Sequence, residues 1–148
     1  MPQSLGKILV HVIFSTKNRE PTILPQVRSE LHAYVTGILK NVQCPSIQTG
    51  GTADHPHTLL LLARTRTIAD VIEEMKKSSS AWMKQQGLRS FFWQAGYGAF
   101  SIGASQAAAV TRYIARQDEH HRRLSFQDEF RRFLERYGVA YDERYVWD

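Results

Sequence analysis

A chain of 148 residues with 43% hydrophobic residues can form one domain with its own core, and no shift in composition marks a second domain. Its 19 Lys and Arg residues outnumber 14 Asp and Glu residues, and the net charge of +5 favours a polyanionic partner. The single cysteine, Cys44, excludes an internal disulfide, and the apolar run at residues 8–14 is too short to span a membrane. We therefore expect a cytoplasmic protein with no membrane anchor.

The first two predicted elements are a strand and an amphipathic helix. Residues 7–16 (KILVHVIFST) are rich in β-branched residues, and their alternation places Val10 and Val12 on one face and His11 on the other. Residues 24–42 carry apolar side chains at helical spacing, with Pro25 suited to the first turn.

A hairpin and a long helix follow. Residues 45–49 form a short extended segment, the turn-rich GGTAD comes next, and HPHTLLLLAR (residues 55–64) supplies the following strand. Thr67 is suited to cap a long amphipathic helix, and Gly87 is suited to end it.

The last part of the chain predicts one more strand and two helices. The strand lies within GYGAFSIG (residues 96–103), Ser105 is placed to cap the alanine-rich helix SQAAAVTRYIARQ, and residues 126–137 form an amphipathic helix. The order β-α-β-β-α-β followed by two helices fits an α+β, ferredoxin-like (RRM-like) antiparallel sheet. We expect helices on one face of this sheet and a free second face.

Two histidines begin the apolar strand. His55 and His57 are two residues apart, so their side chains project from the same face of the strand and can converge on one divalent cation. The alternative is one partly buried, hydrogen-bonded histidine and one exposed histidine, and an arbitrary His-x-His pattern favours this alternative.

Tyr113 and Gln117 add the groups that a two-histidine site lacks. They are four residues apart, so they lie on one side of a helix, one turn from each other. A glutamine oxygen suits magnesium or manganese, and a tyrosine hydroxyl can attack a phosphate. The alternative is a tyrosine packed on the sheet and a solvated glutamine.

The ordered set of these motifs resembles a known family. The segment DHPH, the later WQAGYGAFSIGASQAAAVTRYIARQ and the opening VHVIFSTKNRE resemble the single-tyrosine HUH transposases, the small TnpA-like enzymes of insertion sequences and REP-associated elements. The similarity extends from about Lys7 to His121. We accordingly divide the chain into a transposase domain, 1–124, and a helical extension of the same domain, 125–148.

The resemblance implies a DNA transposase that nicks and rejoins single-stranded DNA beside hairpins. His55, His57 and Gln117 would bind a divalent metal, Mg or Mn, and Tyr113 would form a 5′-phosphotyrosine intermediate. The family pattern has a bulky aliphatic residue where this chain has Pro56, which lacks the N–H of a central strand position. Family members work as dimers, so we expect a homodimer in which the tyrosine helix can act in trans.

Basic residues suggest a DNA-binding surface, although each can equally be a solvated surface charge. The candidates are His11, Lys17, Arg19, Arg64, Arg66, Lys76, Lys77 and Lys84. Trp82 and Trp93 are available for stacking on bases, but a position in the core is the stronger expectation for both. His11 is expected to be a structural or DNA-contacting residue more than a catalytic helper.

The adjacent His120 and His121 point about 100° apart on a helix, so we interpret them as a cationic helix end and not as a second metal site.

The alternative function is a non-catalytic or domesticated protein that binds hairpin or REP nucleic acid, because RNA-recognition domains share this topology.

Overall fold

The computed structural model describes residues 2–121 and 123–148, with only the main chain described at His120. Its four strands are β1 (Leu9–Ile13), β2 (Ser46–Gly51), β3 (Pro56–Leu61) and β4 (Gly98–Ile102). Its five helices are α1 (Pro25–Asn41), α2 (Ile68–Gln85), α3 (Ala107–Ala115), α4 (Gln117–His120) and α5 (Phe126–Arg136). None of the described helices is long and apolar enough to cross a membrane.

The strands form one antiparallel sheet in the order β2-β3-β1-β4. This order confirms the predicted ferredoxin-like α+β arrangement. The register pairs Ile13 of β1 with His57 of β3 and with Gly98 of β4. The end of β1 therefore lies beside the start of β3, where the two histidines are.

One face of the sheet packs against α1 and α2. Val10, Val12 and Leu60 join the buried side chains of these two helices in the largest hydrophobic cluster. Helix α2 begins as predicted, because the Thr67 side chain accepts a hydrogen bond from the Asp70 N–H at 3.1 Å.

The second face is covered, and the expectation of a free face is wrong. Ile114 of α3 packs against Leu9 and Leu59, while Phe126 and Phe130 of α5 pack against Ile13 and other apolar side chains of this face. The amphipathic pattern of residues 126–137 predicted the helix correctly, but a pattern of this kind does not show which surface its apolar side contacts.

The predicted alanine-rich helix is divided in two. Residues 104–106, including Ser105, form a single 3₁₀ turn, so α3 begins at Ala107 and Ser105 does not cap it. The helix is interrupted at Arg116, whose backbone angles of φ −109° and ψ 26° lie outside the helical range.

Gly50 allows α3 to approach the sheet closely. A Cβ atom at this position would lie 2.5 Å from the main-chain oxygen of Ile114 and 3.1 Å from its side chain. Because any larger residue would displace the helix, glycine in β2 fixes the distance between the sheet and the segment that carries Tyr113.

Candidate active site

The two histidines lie side by side at the start of β3. Both side chains are buried, their ring centroids are 5.1 Å apart, and they project toward the face covered by α3 and α5. Pro56 is the first residue of β3 and pairs with Gly51, while the register with β1 begins only at His57. The missing N–H of Pro56 therefore lies outside the ladder with β1, and the proline does not disrupt it.

Each of the two histidines has a partner on its second ring nitrogen. The Asp54 carboxylate lies 2.6 Å from His55 Nδ1, and His11 Nε2 lies 2.9 Å from His57 Nδ1. Such partners fix the orientation of an imidazole and leave its Nε2 for a ligand, as is usual for histidines that bind metals.

Tyr113 on α3 reaches His57, and Gln117 on α4 lies against Tyr113. The ring centroid of Tyr113 lies 6.0 Å from that of His57, and the Gln117 Nε2 donates to the main-chain oxygen of Tyr113 at 3.2 Å. Gln117 is buried, and its side-chain oxygen has no hydrogen-bond partner among the described residues. A buried oxygen of this kind is suited to a cation or donor that occupies the site.

Glu129 on α5 connects these groups. Its Oε1 accepts a hydrogen bond from His57 Nε2 at 2.8 Å and lies 3.3 Å from His55 Nε2. Its Oε2 accepts a hydrogen bond from the Tyr113 hydroxyl and lies 3.1 Å from His121 Nε2. One carboxylate thus contacts three imidazoles and the tyrosine.

The interpretation of His121 as a cationic helix end is therefore incomplete. Two adjacent histidines cannot chelate one ion together, but His121 alone joins the existing pair, with its Nε2 3.1 Å from His55 Nε2. The side chain of His120 lies outside the described residues.

Burial and neighbouring charges shift the pKa values of the buried histidines in different directions. Burial lowers the pKa of His57 to about 4 despite the attraction of Glu129, and burial together with the charge of His57 lowers the pKa of His11 to about 3. Burial also opposes protonation of His55, but its hydrogen bonds with Asp54 and Glu129 outweigh this effect and raise its pKa.

Glu129 is ionised and Tyr113 is protonated in this arrangement. Burial opposes ionisation of Glu129, but attraction to His57 and hydrogen bonds from His121 and His55 hold its pKa far below the usual range. Burial raises the pKa of Tyr113 well above its usual value of 10, and the adjacent carboxylate raises it further. The tyrosine hydroxyl is thus a hydrogen-bond donor and a poor nucleophile until its surroundings change.

Four of these groups can hold a metal ion. The ligand atoms of His55, His57, His121 and Glu129 all lie within 4.8 Å of one another, and three of these side chains are buried. Three imidazoles and a carboxylate are a common donor set for a divalent transition metal.

The structure separates the candidate DNA-binding residues. Lys17 and Arg19 follow β1 at the end of the sheet that carries the histidines, whereas Arg64 and Arg66 follow the opposite end of β3. His11 is 1% exposed and can contact DNA only through a cavity beside it.

The three candidate DNA-binding lysines on α2 have different surroundings. Lys77 is exposed, and Lys84 lies over the ring of Phe92 at 4.4 Å. Lys76 is half-buried and donates to the main-chain oxygens of Gln94 and Gly96 at 2.8 and 2.7 Å, so this lysine has a structural role.

The two tryptophans also differ. Trp93 is buried and donates to the Ser79 hydroxyl at 2.9 Å, as expected for a core residue. Trp82 is half-buried and stacks on Tyr34, with ring centroids 5.4 Å apart, on the side of the sheet away from Tyr113.

Sequence reasoning missed His121 and Glu129 as site residues. A signal for Glu129 was present, because it falls between Phe126 and Phe130 on the apolar side of α5, where a glutamate is rarely buried without a partner. His121 had no comparable signal, since the turn after α4 brings it to the site only in three dimensions.

Comparisons with known proteins agree with this architecture. The chain matches a structure solved as a candidate transposase of Deinococcus radiodurans R1, with 21% identity and a TM-score of 0.62, over 79% of this chain and 98% of the other. It also matches a REP-associated tyrosine transposase bound to a REP hairpin, with 15% identity and a TM-score of 0.62, over 82% of this chain and 73% of the other. At these identities the likeness shows the fold. No curated protein sequence matches the chain.

The family model for IS200-like transposases matches residues 4–117. This segment includes the four strands, the histidine pair, Tyr113 and Gln117, and it ends before His121 and Glu129. The chain belongs to the IS200-like transposase family.

Proposed function

We propose that this protein is a metal-dependent transposase that cuts and rejoins single-stranded DNA next to hairpins, with Tyr113 as the nucleophile and a 5′-phosphotyrosine intermediate. The observation that carries the proposal is the shared carboxylate of Glu129. One of its oxygens accepts from the Tyr113 hydroxyl and the other from His57, so the nucleophile lies directly beside a group of metal-binding side chains.

The proposed metal ligands are His55, His57 and Gln117, with His121 and Glu129 as additional candidates. The unpartnered oxygen of Gln117 and the oriented imidazoles of the two histidines fit a divalent cation. Because the surrounding donors include three imidazoles, they favour Mn²⁺ over Mg²⁺. A bound cation would polarise the scissile phosphate and offset the charge of Glu129 beside the tyrosine.

In the proposed step, a bond forms between the Tyr113 oxygen and phosphorus, and the bond from phosphorus to the 3′-oxygen breaks. The Tyr113 hydroxyl, which donates its proton to Glu129 before the reaction, loses that proton as its oxygen attacks. The departing 3′-oxygen gains one proton and leaves as a hydroxyl, so one proton passes overall from the tyrosine to the leaving group. A strand with a free 3′-hydroxyl can reverse the step, because the phosphodiester energy is retained in the protein–DNA bond.

Packing within one chain supports action of Tyr113 in cis. Helix α3 lies against its own sheet through Ile114 and Gly50, and this contact brings Tyr113 to His57 of the same chain. Exchange of the helix in a homodimer would require this buried contact to be broken. Residues 125–148 are proposed to be an extension of the same domain, since α5 supplies Glu129 to the site.

The proposal is tested with single-stranded oligonucleotides that contain hairpins, incubated with Mn²⁺, Mg²⁺ or a chelator. We expect a covalent protein–DNA adduct on a denaturing gel with Mn²⁺, and none with chelator. Tyr113→Phe should abolish the adduct, while Tyr34→Phe, a tyrosine on the other side of the sheet, should leave it unchanged. An equal adduct with Tyr113→Phe would show that another group is the nucleophile.

The ligand assignment has its own measurement. Calorimetric titration of the metal-free protein with Mn²⁺ should show weaker binding for His57→Ala and Gln117→Ala, whereas the exposed Gln106→Ala serves as control. Hairpin binding without any adduct, in every metal, would instead favour a non-catalytic or domesticated DNA-binding protein.

A further inference from the structure

A cavity of about 500 Å³ lies directly beside Tyr113. It lies between α3 and α5, is open to solvent on one side, and extends to His11 of β1 and the end of β4. Its volume lies within the range of about 300–1,000 Å³ that is usual for sites that bind small molecules. Tyr113 lines this cavity and also contacts Glu129 of the histidine–glutamate cluster, so the cavity and the cluster are adjacent.

Aromatic side chains form one wall of the cavity. Phe133 and Tyr137 of the α5 region line it, and Tyr137 stacks on Phe100 with ring centroids 4.8 Å apart and an angle of 23° between the planes. Tyr137 is also nearly parallel to Phe133, with an angle of 17°. At 37% exposure, the Tyr137 ring is held in place by its neighbours and remains accessible, as in surfaces on which unpaired bases stack.

Polar groups complete the cavity. His11 is almost fully buried, and its Nδ1 has no hydrogen-bond partner among the described residues. A neutral imidazole nitrogen can donate or accept, so it can pair with the edge of a base. The exposed Arg136 at the rim supplies a positive charge for a neighbouring phosphate.

We propose that this cavity binds one nucleobase of the single-stranded DNA, at a nucleotide next to the phosphate attacked by Tyr113. The base stacks on the wall formed by Tyr137 and Phe133, its edge faces His11, and Arg136 contacts the backbone. This proposal rests on the proposed function. The aromatic wall and Arg136 lie outside residues 4–117, so the family match does not extend to this part of the site.

The test combines base removal with variants of the cavity, in a Tyr113→Phe background that prevents cleavage. A hairpin oligonucleotide with single-stranded flanks is made abasic at one position at a time, and its affinity is measured. We expect one position at which base removal weakens binding about 5- to 150-fold, the range for loss of one stacked base. In the Tyr137→Ala variant, removal of the same base should hardly change the affinity, because this variant already lacks the stacking surface.

A second variant tests the cavity without removing any of its contacts. Ala109 is exposed and lines the cavity, so Ala109→Trp should fill it and abolish the sensitivity to base removal. Ala108→Trp, on the neighbouring exposed position that does not line the cavity, is the matched control and should behave like the parent protein. A 2-aminopurine placed at the sensitive position should be quenched by the parent and by Ala108→Trp, and not by Ala109→Trp.

The outcomes separate the two proposals. If the protein with Tyr113 forms the covalent adduct but no position is sensitive, or if Tyr137→Ala and Ala109→Trp keep the full sensitivity, the base-binding cavity is refuted and the proposed function stands. If no adduct forms but the quenching depends on Ala109 as expected, the cavity stands and the proposed function fails. Absence of any binding to single-stranded DNA refutes both.

Discussion

Replacement of Glu129 by Gln should destabilise the protein strongly in the absence of metal. The two carboxylate oxygens lie at hydrogen-bonding distance or close to it from His57, His55, His121 and Tyr113. Glutamine keeps one acceptor oxygen and presents an NH₂ group in place of the other. At least two of the four donors therefore lose their acceptor, at about 1–3 kcal/mol for each buried donor left unpaired.

The expected loss is thus about 2–6 kcal/mol of the free energy of unfolding, which overlaps the 3–5 kcal/mol typical for breaking a buried ion pair. Urea titration at pH 7 with a chelator, followed by tryptophan fluorescence, measures this value. Glu135→Gln is the matched control, because Glu135 is an exposed residue on the same helix and should change stability by less than about 0.5 kcal/mol.

A loss for Glu129→Gln no larger than that for the control would refute the reasoning. It would mean that Glu129 does not hold the three imidazoles and Tyr113 together in solution. The slope of the urea dependence should be unchanged, since the substitution alters the folded site and not the surface exposed on unfolding.

Three further predictions concern neighbouring parts of the site. Because burial lowers the folded-state pKa of His11 from 6.5 to about 3, its contribution to stability is present above pH 6.5 and is lost as pH falls toward 3. His11→Gln should therefore reduce the fall in stability between pH 6 and 4.5, by up to about 1.4 kcal/mol per pH unit in denaturant titrations, and an unchanged slope would contradict the buried neutral state. Gly50→Ala should destabilise the protein by about 1–3 kcal/mol and weaken adduct formation because it displaces α3, whereas Gly37→Ala, with open space around it, should be neutral or stabilising in thermal unfolding. A mixture of Tyr113→Phe and His57→Ala proteins should form no adduct on a gel, and recovery of adduct would show that the tyrosine acts in trans.

The sequence correctly predicted which pairs of residues lie together because of the repeat of a single strand or helix. The spacing of His55 and His57 placed both on one face of a strand, and the four-residue spacing of Tyr113 and Gln117 kept them together even though the helix is interrupted between them. These relations depend only on the repeat of a strand or a helix, so they remained valid in the folded protein.

Contacts between elements that are distant in sequence could not be predicted from local patterns. The periodicity of α5 indicated an apolar side with Phe126 and Phe130 but not the sheet face that it covers, and the position of Glu129 depends on that docking. His121 follows a break in the helix that alanine-rich composition disfavours, so its approach to His55 is a result of tertiary packing that propensity did not predict.

The charge of Glu129 connects the tail of the chain to the proposed chemistry. A scissile phosphate is negative, and an ionised carboxylate bonded to the Tyr113 hydroxyl both repels it and keeps the tyrosine protonated. The proposed reaction therefore requires that Glu129 be neutralised or withdraw from the tyrosine. Withdrawal of Glu129 would involve α5, because this helix carries Glu129 and also Phe133, which lines the cavity beside Tyr113. Glu129 and Phe133 both lie beyond the family-matched segment, and we infer that α5 responds when DNA and metal enter the site.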